Sequence, residues 1–214
     1  MNELFDFLFS QYKDYSTTFI MLEALGSVFG ALSVVFSARN SIFVYPTGII
    51  STIIYTYMFY QWNLYGDMII NVYYFIMSVY GWLLWSRKGN DNTALLKIEK
   101  MTTKDTIKCI QIFVLSVIFV SAVFIYTEKF NYWWAYVDTF ITGLFFVGMW
   151  LLAKRKIENW IFLIIGDIIA IPLIFYKGAT LTSIFYIFLT TVAFIGYYEW
   201  KKKLSARIKT SQLQ

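Results

Sequence analysis

In NWIFLIIGDIIAIP, residues 159–172, a lone carboxylate, Asp167, interrupts an apolar run, beside Gly166 and five residues before Pro172. An ionisable group near a bilayer centre costs at least about 2.5 kcal/mol and normally faces a bundle interior or a water-filled cavity. Pro172 lacks the N–H that would serve the carbonyl of Ile168 and clashes with it, so the helix is expected to open beside Asp167. A freed carbonyl next to an acid makes a ligand niche; the plainer reading is an Asp hydrogen-bonded to a neighbouring helix, or protonated. Trp160 stands seven residues earlier, two turns away on the same face, with Leu163 between them.

Other polar residues fall inside apolar segments. In YGDMIINVYYFIMSVYGWLLW, Asp67 reads as a helix cap, and Asn71, Tyr74 and Ser78 continue its face at three- and four-residue steps. Such a stripe either binds a polar substrate or holds helices together. Glu23 and Asp138 lie nearer the opposite end of their segments, where they line a vestibule that attracts cations or serve as interfacial acids. Gly26, Gly30, Gly48 and Gly66 mark close helix contacts or hinges. The chain has no His, its single Cys109 has no partner, and no G-x-x-x-x-G-K-[ST] loop occurs, so His chemistry, disulfides and ATP hydrolysis by this chain are all unsupported. No metal site and no cofactor are expected.

These residues must be held by elements that cross a membrane. Of 214 residues, 59% are hydrophobic and only 14% charged, too apolar for one soluble core. Seven segments of the required ~20 residues are present, at about 17–38, 41–60, 67–86, 107–127, 135–153, 157–176 and 180–200. Residues 1–16 form an interfacial segment, 87–106 a basic loop, and 201–214 a tail. With alternating crossings, fifteen of the eighteen Lys and Arg collect on one side, leaving Lys13, Lys129 and Lys177 on the other. This places the N-terminus outside and the C-terminus in the cytoplasm. It also accounts for the net charge of +5 without nucleic acid, since no basic stripe interleaves with recognition residues.

Sliding the chain 115 residues along itself aligns Glu23 with Asp138, Arg39 with Lys154, Tyr45 with Trp160, Gly81 with Gly196 and Trp85 with Trp200. The expected architecture is an all-α integral membrane protein. Its three-helix repeat 1 (17–86) and repeat 2 (135–200) are joined by a linker helix (107–127) and share one orientation, about a pseudo-twofold along the membrane normal. The interface between such repeats is where a substrate path runs.

YGDMIINVYYFIMSVYGWLLW, KRKIENWIFLIIGDIIAIPLIFYKG and GYYEWKKK together resemble the PnuC family of bacterial vitamin transporters, over roughly residues 18–203. The resemblance implies a 3+1+3 SWEET-like bundle, a homotrimer in the inner membrane, and facilitated diffusion of nicotinamide riboside, which cytoplasmic phosphorylation traps. The family's helix-6 motif W-x-x-W-x-x-x-N falls on Trp160, Leu163 and Asp167, so two of its three positions depart here. A related branch carries thiamine. Both vitamins bear a cationic ring that an ionised Asp167 would stabilise and Trp160 would stack on. An acid also accepts from an aminopyrimidine, which tilts the reading toward thiamine. A proton-coupled symporter is the mechanistic alternative; an integral-membrane enzyme or receptor is the remote one, because Asp167 has no second acid, His or Lys at its depth.

Overall fold

The computed structural model describes residues 15–88, 95–128 and 130–212. The segment expected to lie at the interface, 1–16, falls almost wholly outside them. Among the described residues seven helices follow in order: α1 Thr17–Ala38, α2 Val44–Gln61, α3 Tyr65–Trp85, α4 Thr103–Tyr126, α5 Trp133–Ala153, α6 Asn159–Tyr176 and α7 Thr180–Gln212. Six are long and apolar enough to span a membrane; α2 is the exception. Its tyrosines and threonines lower its hydropathy, and it is enclosed between α1 and α3.

Helix limits follow local chemistry. Ser16 caps α1 by accepting from the Phe19 N–H, and Thr102 and Asp105 form a reciprocal capping box that starts α4 four residues before the expected 107. Leu64, rather than Asp67, occupies the cap position of α3, and Asp67 stands in its first turn. The expected opening at Pro172 is absent: α6 runs unbroken to Tyr176, and the Ser183 hydroxyl of α7 donates to the Ile171 carbonyl at 3.0 Å. Nor does α7 stop at residue 200. Helix-forming Lys, Leu, Ala and Arg carry it to Gln212, giving 33 residues and a length of about 50 Å, well beyond a ~30 Å hydrocarbon core.

In sequence order α1, α2 and α3 pack side by side, as do α5, α6 and α7. The two sets meet along α1–α7 and α3–α5, while α4 leans on α5. Between α3 and α5, Tyr73 stacks on Phe146 at 3.8 Å and donates its hydroxyl to the Phe146 carbonyl.

Contacts recur at the 115-residue offset. The Tyr45 ring lies on Gly81, where a Cβ would stand 2.3 Å from it, and meets Trp85 edge-on at 5.1 Å. The Trp160 ring lies on Gly196, where a Cβ would stand 2.5 Å away, and meets Trp200 edge-on at 5.6 Å. The α1–α2 and α5–α6 turns each contain a left-handed residue, Asn40 and Arg155. Elsewhere glycine and its larger partner change places. Gly30 faces Ser51 while Phe145 faces Gly166, and Ser33 faces Gly48 while Gly148 faces Leu163.

The basic end of the bundle is fastened by the 95–101 segment. Glu99 exchanges backbone hydrogen bonds with Arg155 and Ile157, Lys156 ion-pairs with Glu99 and Asp105 at 3.3 Å each, and Glu158 accepts from the Met101 N–H. Arg155 donates to the Leu96 carbonyl and holds its guanidinium 3.8 Å from the Trp85 ring. Burial lowers the pKa of that guanidinium from its ordinary value.

Candidate functional site

A cavity of about 250 Å³ lies between the two helix sets, lined by seventeen residues from α1, α2, α3, α5, α6 and α7. Twelve of them pair at the 115-residue offset: Gly30 with Phe145, Val34 with Met149, Gly48 with Leu163, Thr52 with Asp167, Tyr74 with Leu189 and Ser78 with Ala193. The two walls differ in chemistry. The α1–α3 wall supplies small and hydroxyl-bearing groups, Gly30, Ser33, Gly48, Ser51, Thr52, Tyr74 and Ser78. The α5–α7 wall supplies bulk and charge in Phe145, Trp160, Leu163, Asp167, Phe185 and Tyr186.

Asp167 is only 5% exposed, yet among the described residues no hydrogen bond or ion pair reaches its carboxylate. A buried carboxylate is tolerated when something else neutralises it, and Asp167 lines the cavity. Trp160 is fully buried, and its indole N–H finds no acceptor among the described residues. Three hydroxyls of the opposite wall give their protons to the backbone: Ser33 to the Val44 carbonyl, Ser51 to Gly26 and Thr52 to Gly48, at 2.8–2.9 Å. Their oxygens keep lone pairs for a ligand donor. The side-chain hydroxyls of Tyr74, Tyr186 and Ser78, which also line the cavity, make no hydrogen bond among the described residues and are free to donate or accept. The arrangement suits a flat, positively charged ring on the aromatic and acidic wall with a polar substituent toward the hydroxyls.

Four of the seven residues expected from sequence, Trp160, Leu163, Asp167 and Tyr74, line this cavity. Asn71 is half-buried on α3 but outside the lining, and Glu23 and Asp138 are also outside it. Asp138 pairs with Lys177, whose ammonium sits 4.3 Å from the Trp134 ring, so its charge is answered within the protein. Glu23 lies near the Tyr55 hydroxyl, which hydrogen-bonds Ser27 at 2.6 Å. Sequence reasoning passed over Ser33, Ser51, Thr52, Phe145 and Tyr186. The repeat offset held the signal for two of them, since it carries Asp167 onto Thr52 and Gly30 onto Phe145.

A bundle of helices long and apolar enough to span a membrane, with a cavity between two helix sets and a buried acid in its wall, has the form of a solute-handling membrane protein. The family model for the nicotinamide mononucleotide transporter matches residues 20–202, and the chain belongs to that family. It is a multi-pass membrane transporter, not an enzyme. It is similar to the nicotinamide riboside transporter PnuC of Escherichia coli strain K12, at 25% identity over 205 residues and 84% of each chain. It is also similar to the riboflavin/roseoflavin transporter RibM of Streptomyces davaonensis, at 21% identity over 183 residues, 85% of this chain and 84% of that one. Among solved structures, the crystal structure of the vitamin B3 transporter PnuC matches the fold, with a TM-score of 0.67 and 23% identity over 95% of this chain and 90% of that one.

Proposed function

We propose that the chain takes up a cationic vitamin or vitamin precursor, thiamine or nicotinamide riboside, through this cavity. The observation that carries the reading is the buried Asp167 carboxylate, which no donor among the described residues answers, on the same wall as Trp160 and Phe145. A permanently charged ring supplies the missing counter-charge, and the aromatic side chains supply its stacking and cation–π surface. Riboflavin, the substrate in the name of the Streptomyces relative, carries no such charge. The acid at the position where the family's motif has an amide favours an aminopyrimidine, and so thiamine, over nicotinamide riboside.

The transport route we infer is alternating access between two three-helix units in a parallel 3+1+3, SWEET-like arrangement. The offset-related ring–glycine seats, turns and cavity residues support it. The basic end, with Lys201, Lys202, Lys203 and Arg207, then faces the cytoplasm and the N-terminus faces outward, in the bacterial inner membrane. Movement is facilitated diffusion, with the product phosphorylated inside, and the assembly is a homotrimer, both as the PnuC resemblance implies.

Calorimetric titration of the detergent-solubilised protein with thiamine and with nicotinamide riboside tests the assignment. Binding of thiamine with little response to the riboside is the expected result. Tight binding of the riboside alone would overturn the thiamine preference, and binding of neither would overturn the cationic-vitamin reading.

A further inference from the structure

We propose that Trp200 and Trp85 are positioning residues: together they close the cavity at the basic end and tie that closure to the ligand-facing ring of Trp160. The inference rests on the transport reading above but not on which vitamin is carried.

The cavity ends on Trp160 and Ala193, and both belong to one buried cluster that continues through Tyr45, Trp85, Trp200 and Leu204 toward the basic face. A solute leaving on that side has to part this cluster. Its hydrogen bonds run crosswise between the two helix sets. Trp200, on α7, donates its indole N–H at 3.0 Å to the Ser37 carbonyl near the end of α1. Trp85, on α3, donates at 3.2 Å to the Ala153 carbonyl at the end of α5. Each set therefore places one tryptophan under the last turn of the other set's first helix, and the two rings meet at 6.0 Å.

Both indoles are buried, at 0% and 4% exposure, so a bond broken without a substitute leaves a dry, unpaired N–H. Separating the sets at this end breaks both bonds at once, which makes the closure all-or-none. The cavity is connected to it through the Trp160 ring. The Trp160 ring is backed closely by Gly196, and among the described residues the aromatic ring it meets is that of Trp200, edge-on. A ligand stacked on Trp160 thus bears on Trp200, and through it on the end of α1.

The test reads which face the cavity opens to and uses no vitamin. In a Cys109→Ala background, Ser78→Cys puts a thiol in the cavity wall, and Lys203→Cys in a separate chain marks the basic face. A membrane-impermeant maleimide is applied to sealed vesicles of either orientation. With both tryptophans present, the cavity thiol should label slowly from the basic face. Trp200→Phe keeps the ring and removes the donor, and should raise that rate several-fold relative to labelling from the opposite face. Trp85→Phe, which cuts the equivalent bond from the other set, should do the same and stands in if the first variant does not fold. A face-to-face labelling ratio that moves less than about twofold in a folded variant overturns the proposal, even where melting temperature falls, since a merely structural role lowers stability without choosing a face. Failure of the vitamin titrations leaves this result standing, and an unchanged ratio leaves the ligand assignment standing.

Discussion

Replacing Asp167 by Asn keeps the shape of the wall and removes its charge. A charge-assisted contact is worth about 1.5–3 kcal/mol, so affinity for a cationic vitamin should fall by roughly one to two orders of magnitude by calorimetry, and an unchanged affinity would show that the carboxylate does not meet the cation. Two glycines offer a paired comparison. A methyl at Gly196 or Gly81 would stand within about 2.5 Å of the Trp160 or Tyr45 ring respectively. Both Ala variants should unfold more readily, with overpacking costing about 1–3 kcal/mol. Only Gly196→Ala should also weaken ligand binding, because Trp160 lines the cavity and Tyr45 does not. Asp167 and Trp160 were legible in the sequence because an acid in an apolar helix has few explanations and a ring two turns away shares its face. Ser33 and Ser51 were not, because a hydroxyl in a membrane helix can always turn back onto its own or a neighbouring backbone, and both do.

Six of the seven helices among the described residues are apolar and long enough to be legible on that ground alone, whereas α2 falls short of it, and the helix ends were less legible. Charges after residue 200 mark where α7 leaves the membrane, but leaving the membrane does not end a helix whose residues favour it, and Arg207 anchors the extension by donating to the Ile98 carbonyl at 3.3 Å. Pro172 misled in the other direction, since α6 absorbs it without a break. The docking of 95–101 onto the α5–α6 turn left no sequence signal beyond charge, because its pairing is long-range. Lys156 is the pin of that docking, 8% exposed between Glu99 and Asp105. Exposed ion pairs contribute about 0–1 kcal/mol and fully buried ones cost about 3–5 when one partner is removed. Lys156→Met, which leaves Asp105 with its Thr102 hydrogen bonds and Glu99 with Arg207 at 3.8 Å, should therefore destabilise by about 1 kcal/mol, nearer the exposed than the buried limit. Its signature is faster proteolytic cleavage within 95–101, and a cleavage rate equal to that of the unaltered chain would remove Lys156 from this role.

For the whole molecule, light scattering in detergent should give a protein mass three times the 25.2 kDa of one chain; a single-chain mass would remove the trimer. In proteoliposomes, a facilitator should bring the vitamin to equal concentration on both sides and no further, at any pH gradient. Accumulation driven by an acidic exterior would instead make Asp167 a proton carrier and the chain a symporter. The side-by-side packing of α1–α3 and of α5–α7 was legible because the 115-residue offset survives in aromatic and glycine positions that packing cannot easily change. What the offset did not disclose is how far the two halves have diverged where they face each other. Two copies of the first half would surround a wide, hydroxylated space with no carboxylate; two copies of the second would crowd it with paired Phe145 and Leu163 side chains and set two acids against each other. A protein assembled from either half in duplicate would keep only one of the two wall chemistries, so the cavity as it stands is a division of labour that neither half can reproduce alone.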